Sequence, residues 1–403
     1  MSSGPTARGI LAGLSVLELG RMVAAPYCGK LLADLGADVL KLERPGTGDP
    51  ARKAGPFPDD VPHAERSALF LYLNTSKRGI TLDPRGESGR DIFERLVAAA
   101  DILIEDCDAA ELEELELEPA RLCALNPRLI VASITPFGRT GPYRDYRAHH
   151  LNLYHAAGQT SFSYSAAGES ERPPPRAAGY LGEYDAGLTA ALGAMAAVLR
   201  RTRSERGQHV DVSALEALMC LERVDIGRLS NTSNLPPWRG SVGGMLMTRD
   251  GYLMITPIQN HQWQGLVRAM GEPEWTREDW CRDELTRLEN RERIQPYIEA
   301  WARELPRDEI YRRLQAEGSP AGPVRNVAEV RAWEQTEARG FFTEIAHPEA
   351  GAQVYPTAPY RLSGAEWPPG PAPLLGQHNH EVYCEWLGYS VGDLERLAAE
   401  GSI

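Results

Sequence analysis

Short apolar runs of strand length alternate with helix-period segments over roughly the first third of the chain, and this restricts the fold to parallel strands joined by crossover helices. Leu14 to Leu19 (LSVLEL) reads as a short buried strand. From Pro26 to Leu35 apolar residues recur at helical spacing (Cys28, Leu31, Leu32, Leu35), and Gly36 stops the helix. A second strand follows at Asp38 to Leu42. The unit then repeats as a strand at Gly79 to Leu82, a helix at Gly86 to Ala99, a strand at Asp101 to Ile104, an acidic helical stretch and a strand at Leu129 to Ile134. The pattern predicts a doubly wound, Rossmann-like domain. No GxGxxG follows the first strand, so a nicotinamide or flavin dinucleotide is not expected.

Further on, the alanine-rich segment Tyr184 to Arg203 has high helix propensity and small residues on several faces, which predicts a long helix packed closely against its neighbours. Glu183 and Asp185 stand at its start. Turn residues then accumulate (Asn231, Asn234, Pro236, Pro237, Gly240, Gly243, Gly244) and mark a change of domain. A strand at Tyr252 to Pro257 and a charged, Trp-bearing helical region from His261 to Glu317 form a smaller unit. Gly318 to Val324 and the Pro-rich stretch Pro356 to Pro373 read as connections back to the first domain. The expected fold class is therefore α/β: a Rossmann-like large domain from residues 1–225 and 331–403, with a smaller α+β domain at 226–330.

A chain of 403 residues is too long for one ordinary core, which agrees with two domains. The formal net charge of -13 and the lack of a basic run exclude a nucleic-acid-binding surface. A small anionic ligand remains compatible, because local cations are screened from distant charge within about 8 Å. The six cysteines show neither CxxC nor Cys/His ligand spacing, so buried free thiols are expected and no metal site. MSSGPTARG carries no leader pattern, and the run Ala186 to Leu199 is too short to span a bilayer, so a cytoplasmic protein is expected.

Several ordered strings resemble the class III CoA-transferase family, which includes formyl-CoA and carnitine CoA-transferases and α-methylacyl-CoA racemase. They are GLSVLELGRMVAAPYCGKLLADLGADVLKLERPGTGDP, LNTSKRGITLD, NPRLIVASITPFGRTGPY, GQHVDVSALEA, GSPAGPV, ARGFF and APLLGQH. The resemblance runs over nearly the whole chain. It implies an interlocked homodimer, an acyl-CoA thioester and a carboxylic acid acceptor as reactants, coenzyme A as part of the substrate, and no metal.

In transferases of this family the catalytic group is an Asp, with Gly four residues later, at the entry to the Ala-rich helix. Here GEYDAG places Glu183 and Gly187 in those positions. The resemblance thus assigns the catalytic carboxylate to Glu183, with Asp185 as fallback. Glu carries its oxygens outward by about 1.5 Å relative to Asp. In the racemase branch a His at the position of His149 works with this carboxylate on the α-proton, so racemase, isomerase or lyase chemistry by His149 and Glu183 is the alternative. A non-catalytic CoA-binding protein is the third reading. His150 and His155 are expected to pack near the cleft.

CoA-binding positions carry over to Val23, Ala24, Arg44, Leu82, Asp83, Arg85, and Thr135, Pro136, Phe137 and Gly138. Lys77 and Arg78 are further candidates, each equally readable as a surface charge. Asp106, Cys107 and Asp108, with Glu114 beyond, fill a loop where relatives often offer Asn or Arg. Gly240, Gly243 and Gly244 lie where transferases have a Gly-rich loop closing over the carboxylate, or else form an ordinary interdomain turn.

Overall fold

The central strands are buried on both faces, and their residues alternate between two separate cores as strand geometry requires. The computed structural model describes residues 9–159, 175, 177–231, 242–364 and 369–403, without side chains at 222–225 and 228. Strands β1 (Ser15–Leu19), β2 (Asp38–Glu43), β3 (Arg78–Thr81), β4 (Ile102–Glu105), β5 (Ile130–Thr135) and β6 (His209–Ser213) form one sheet in the order β3-β2-β1-β4-β5-β6. Every neighbouring pair is parallel. The order reverses between β1 and β4, and in such sheets the crevice beyond the carboxyl ends at the reversal is where ligands bind.

Val16, Ile102, Ile104, Ile130, Ala132 and Val212 face one core, together with helix α1 (Ala24–Ala33) and a long helix, Leu181–Ser204. Leu17, Leu40, Leu42, Ile80, Leu103 and Val131 face the other, together with a helix at Glu87–Ala99 that supplies Ile92, Phe93, Leu96 and Val97. The C-terminal residues Val382, Tyr383 and Leu397 complete this second core. The same segment seals the sheet edge: the Gly79 and Thr81 N–H groups donate to His378 Nδ1 (3.0 Å) and Asn379 Oδ1 (2.9 Å). An otherwise open edge strand is thereby paired.

Contacts divide the described residues into two units, one drawn from residues 9–159, 175, 177–231, 340–364 and 369–403, the other from residues 242–339. In the second, β7 (Gly244–Met247), β8 (Tyr252–Ile255) and β9 (Ala321–Pro323) form an antiparallel sheet. Its core joins Leu246, Leu253 and Ile255 to Trp263, Ile298, Ile310 and Leu314 from three helices. GSPAGPV, expected to be a connection, thus supplies an edge strand. Gly243 and Gly244 lead into β7 with positive φ (103° and 74°), while Gly240 lies outside the described residues.

Among the elements of the sheet unit that went unread in the sequence are strand β6, the helix Ala68–Leu73 and the antiparallel hairpin of Phe342–His347 with Gly351–Pro356. Strand β6 is short and half-polar (HVDVS), and the helix Ala68–Leu73 spans under two turns. Of the thiols, Cys28, Cys107 and Cys281 are buried as expected, whereas Cys220 is exposed. No described helix is long and apolar enough to cross a membrane.

Candidate active site

The long helix Leu181–Ser204, here α2, approaches α1 along a seam of small residues. Ala186, Ala190, Ala194 and Ala197 recur at close to helical spacing and are fully or almost fully buried. Alanine buries little area, so the seam contributes closeness rather than bulk. Closest of all is Gly187: a Cβ there would meet the Ala24 carbonyl oxygen at 2.4 Å. Tyr184 fixes the rotation of α2, its ring lying edge-on to Tyr27 at 4.9 Å and near Tyr72 at 6.5 Å.

With Tyr184 so placed, Glu183 in the first turn faces the start of another helix, α3 (His150–Ala156). Its carboxylate accepts the His150 backbone N–H and lies near the His149 ring. Burial pushes the carboxyl above the ordinary Glu value, and those two neighbours only partly oppose the rise. The result is a largely desolvated carboxylate whose charge the His150 N–H and the nearby His149 ring favour only in part. His149 is the exposed residue preceding α3, where its N–H donates to Asn152 Oδ1 at 3.1 Å.

Asp185 is two residues from Glu183, and residues so spaced do not share a helix face. It lies close enough to the Tyr27 phenol to act on it electrostatically, and burial raises its pKa too. Its Oδ2 is buried and finds no hydrogen-bond partner among the described residues. The two carboxylates therefore cannot address one reacting carbon together.

A cavity of about 210 Å³ lies at the carboxyl ends of the first strands. Arg44, Leu82, Asp83 and Arg85 line it, joined by Arg21, Lys53 and Glu111. The Leu82 side chain is buried and its N–H donates to the Glu43 carbonyl, so it contributes wall rather than donor. Arg85 pairs with Asp83 at 3.1 Å. Val23, Ala24 and Thr135 to Gly138 do not line this cavity. Val23 is the buried residue before α1, Ala24 carries the carbonyl under Gly187, and Thr135 to Gly138 continue from β5. Phe137 packs edge-on against Tyr143 and Tyr146.

The model of CoA-transferase family III matches residues 11–379. The chain belongs to that family. A succinyl-CoA–D-citramalate CoA-transferase of Chloroflexus aurantiacus is 33% identical over 401 residues, covering 97% of each chain. A formyl-CoA:oxalate CoA-transferase of Streptomyces avermitilis is 30% identical, covering 98% of this chain and 99% of its own. Among solved structures, a CAIB/BAIF family protein from Brucella suis superposes with a TM-score of 0.82 at 30% identity, covering 94% of this chain and 99% of its own.

In this family III CoA-transferase the segment entering α1 is held from below by buried charges. Glu18 on β1 is fully buried between Lys41 (3.0 Å) and Lys77 (2.7 Å), and Lys41 also pairs with Asp49 at 2.8 Å. Asp49 in turn accepts the N–H of Met22, whose φ is 58°, an uncommon conformation for a side-chain-bearing residue. Gly29 leaves room for this arrangement, since a Cβ there would sit 1.9 Å from Glu18 Oε2. Lys77 therefore belongs to the core, being neither a cleft cation nor a surface charge. Arg78 is occupied by Asp38 and Glu381.

Three of the charged residues named at the cavity went unread in the sequence, Arg21, Lys53 and Glu111. The signal for Glu111 was present: Asp108 and Glu111 have the spacing of a capping box, which directs the latter back over the helix start. No group of three or more His, Cys, Asp or Glu side chains poised for a metal occurs among the described residues.

Proposed function

We propose that the protein moves CoA from an acyl-CoA thioester to a free carboxylic acid, with Glu183 as the group that carries the acyl and CoA moieties in turn. The supporting observation is the Glu183 carboxylate: partly desolvated, fixed by the His150 N–H, and mounted on a helix whose position is set by Gly187 and Tyr184. Desolvation raises the energy of a carboxylate and makes it a better nucleophile. In this reading a Glu183 oxygen attacks the thioester carbonyl and the C–S bond breaks, giving a mixed anhydride and CoA thiolate. Attack by that thiolate on the Glu183 carbonyl carbon releases the donor acid and forms an enzyme thioester. The acceptor carboxylate then repeats the two steps in reverse order, regenerating Glu183. Protons and electrons balance without a further reactant. Glu extends about 1.5 Å further than Asp, so its backbone has to stand correspondingly further from the thioester carbonyl, since a 1 Å error costs about a hundredfold in rate.

Arg44, Lys53 and Arg85 around the cavity suit the phosphates and adenine of CoA, and Arg21 adds a planar donor fork. Val23, Ala24 and Thr135 to Gly138 are proposed to border the pantetheine path. The large domain from 1–225 and 331–403, the small domain at 226–330, the interlocked homodimer and a cytoplasmic location are parts of the same proposal. A monomer by light scattering at micromolar concentration would remove the dimer from it.

The test is CoA exchange between a panel of acyl-CoA donors and acids, followed by mass spectrometry, for the wild type and Glu183→Gln. Exchange that survives unchanged in Glu183→Gln refutes the role of Glu183. A second reading is favoured by the His149 ring beside Glu183: α-proton chemistry by that pair. Deuterium entering the α-position from solvent without any acceptor acid would select it. Were neither activity seen and CoA binding intact, the protein would be a CoA-binding module.

A further inference from the structure

Among the carboxylates lining the cavity, two are neutralised by buried cations that do not line it, and a third by the neighbouring Arg85. Glu43 is turned to buried Arg52 (2.7 Å), Asp49 to buried Lys41 (2.8 Å), and Asp83 to its neighbour Arg85 (3.1 Å). Glu111 differs. Its two oxygens accept from both terminal nitrogens of Arg21, at 2.8 and 2.5 Å, and Arg44 approaches one of them at 3.4 Å. The capping-box bond from the Asp108 N–H to the same carboxylate is long, 3.4 Å, so the arginines and not the helix end are its main partners. Asp106 also accepts the Arg21 backbone N–H at 2.8 Å and lies 3.8 Å from its guanidinium, which fixes the fork in place. Lys53 pairs with no carboxylate among the described residues.

A bidentate Arg–carboxylate pair has the donor geometry that a phosphate also satisfies. We propose that Glu111 is a built-in anion occupying the place of a CoA phosphate on Arg21 and Arg44, and so sets the affinity and phosphate selectivity of the cavity. This rests on the reading of the cavity as the CoA site. A phosphate brings about −1.5 to −2 of charge and three acceptor oxygens. It therefore outbids a single carboxylate for the arginines, but binding has to break the existing pair and leave Glu111 beside a like charge. Arg21 and Arg44 are 39% and 51% exposed, so the pair is weak enough to exchange.

The experiment is calorimetric titration of CoA, 3′-dephospho-CoA and adenosine 3′,5′-bisphosphate into the wild type, Glu111→Gln, Arg21→Gln and the double variant, with melting curves to show that each is folded. Glu111→Gln should tighten binding of CoA by about fivefold or more, the scale of a partly exposed pair plus a relieved repulsion. The gain should vanish in the Arg21→Gln background. A gain confined to the two ligands bearing a 3′-phosphate places that group on Arg21, whereas an equal gain for dephospho-CoA places the diphosphate there; either supports the proposal. Unchanged or weaker CoA binding by Glu111→Gln overturns it while leaving the CoA site standing. No CoA binding by the wild type overturns both.

Discussion

Gly187→Ala probes the link between fold and chemistry most directly. The new Cβ would lie 2.4 Å from the Ala24 carbonyl oxygen and 3.2 Å from the Tyr27 Cβ. A carbon in contact with a carbonyl oxygen needs about 3.3 Å, so α2 and α1 must separate locally by about 0.9 Å. The obstructing atom is backbone, and no side-chain rotation relieves it. Overpacking of this kind costs about 1–3 kcal/mol, a fall of roughly 2–10 °C in the melting temperature. Glu183 lies one helical turn away and moves with the helix. A displacement approaching 1 Å at the reacting carboxylate costs on the order of a hundredfold in kcat. Thermal melts and CoA-exchange kinetics on the same preparation measure both effects. A variant that melts several degrees lower yet turns over at the wild-type rate would show that α2 does not carry the catalytic carboxylate. One that melts and reacts like the wild type would refute the packing argument itself.

Glu183→Gln should abolish exchange by at least about a thousandfold, while Glu183→Asp, retracted by about 1.5 Å, should keep a residue of activity; steady-state exchange rates rank the three. Because the Glu183 carboxyl is raised above 4.5 by burial and must be ionised to attack, kcat/KM should fall as pH drops through that raised value. A profile from about pH 4 to 8 with its acid limb at or below the ordinary Glu value would contradict this. Lys77→Met leaves buried Glu18 with Lys41 alone, and urea denaturation should report a loss of about 3–5 kcal/mol. A loss under about 1 kcal/mol would mean the network is not structural.

The alternation of LSVLEL, PYCGKLLADL and DVLKLE was enough to dictate parallel strands and crossover helices, because side-chain periods of 2 and 3.6 are properties of the local backbone. Observed boundaries agree closely for β1, β2, β3, β4 and β5. The alanine run likewise announced a closely packed helix, and the position of Glu183 and Gly187 on it was legible. What stayed hidden depends on groups far apart in sequence. That Lys77 is a core charge follows from Glu18, 59 positions earlier, pointing at it inside the fold. That Glu111 holds Arg21 follows from the reversal of strand order, which sets the end of β1 beside the end of β4. Local patterns dictated the elements because the chain meets its own neighbours everywhere; only tertiary packing decided which charges are spent in the core and which face a ligand.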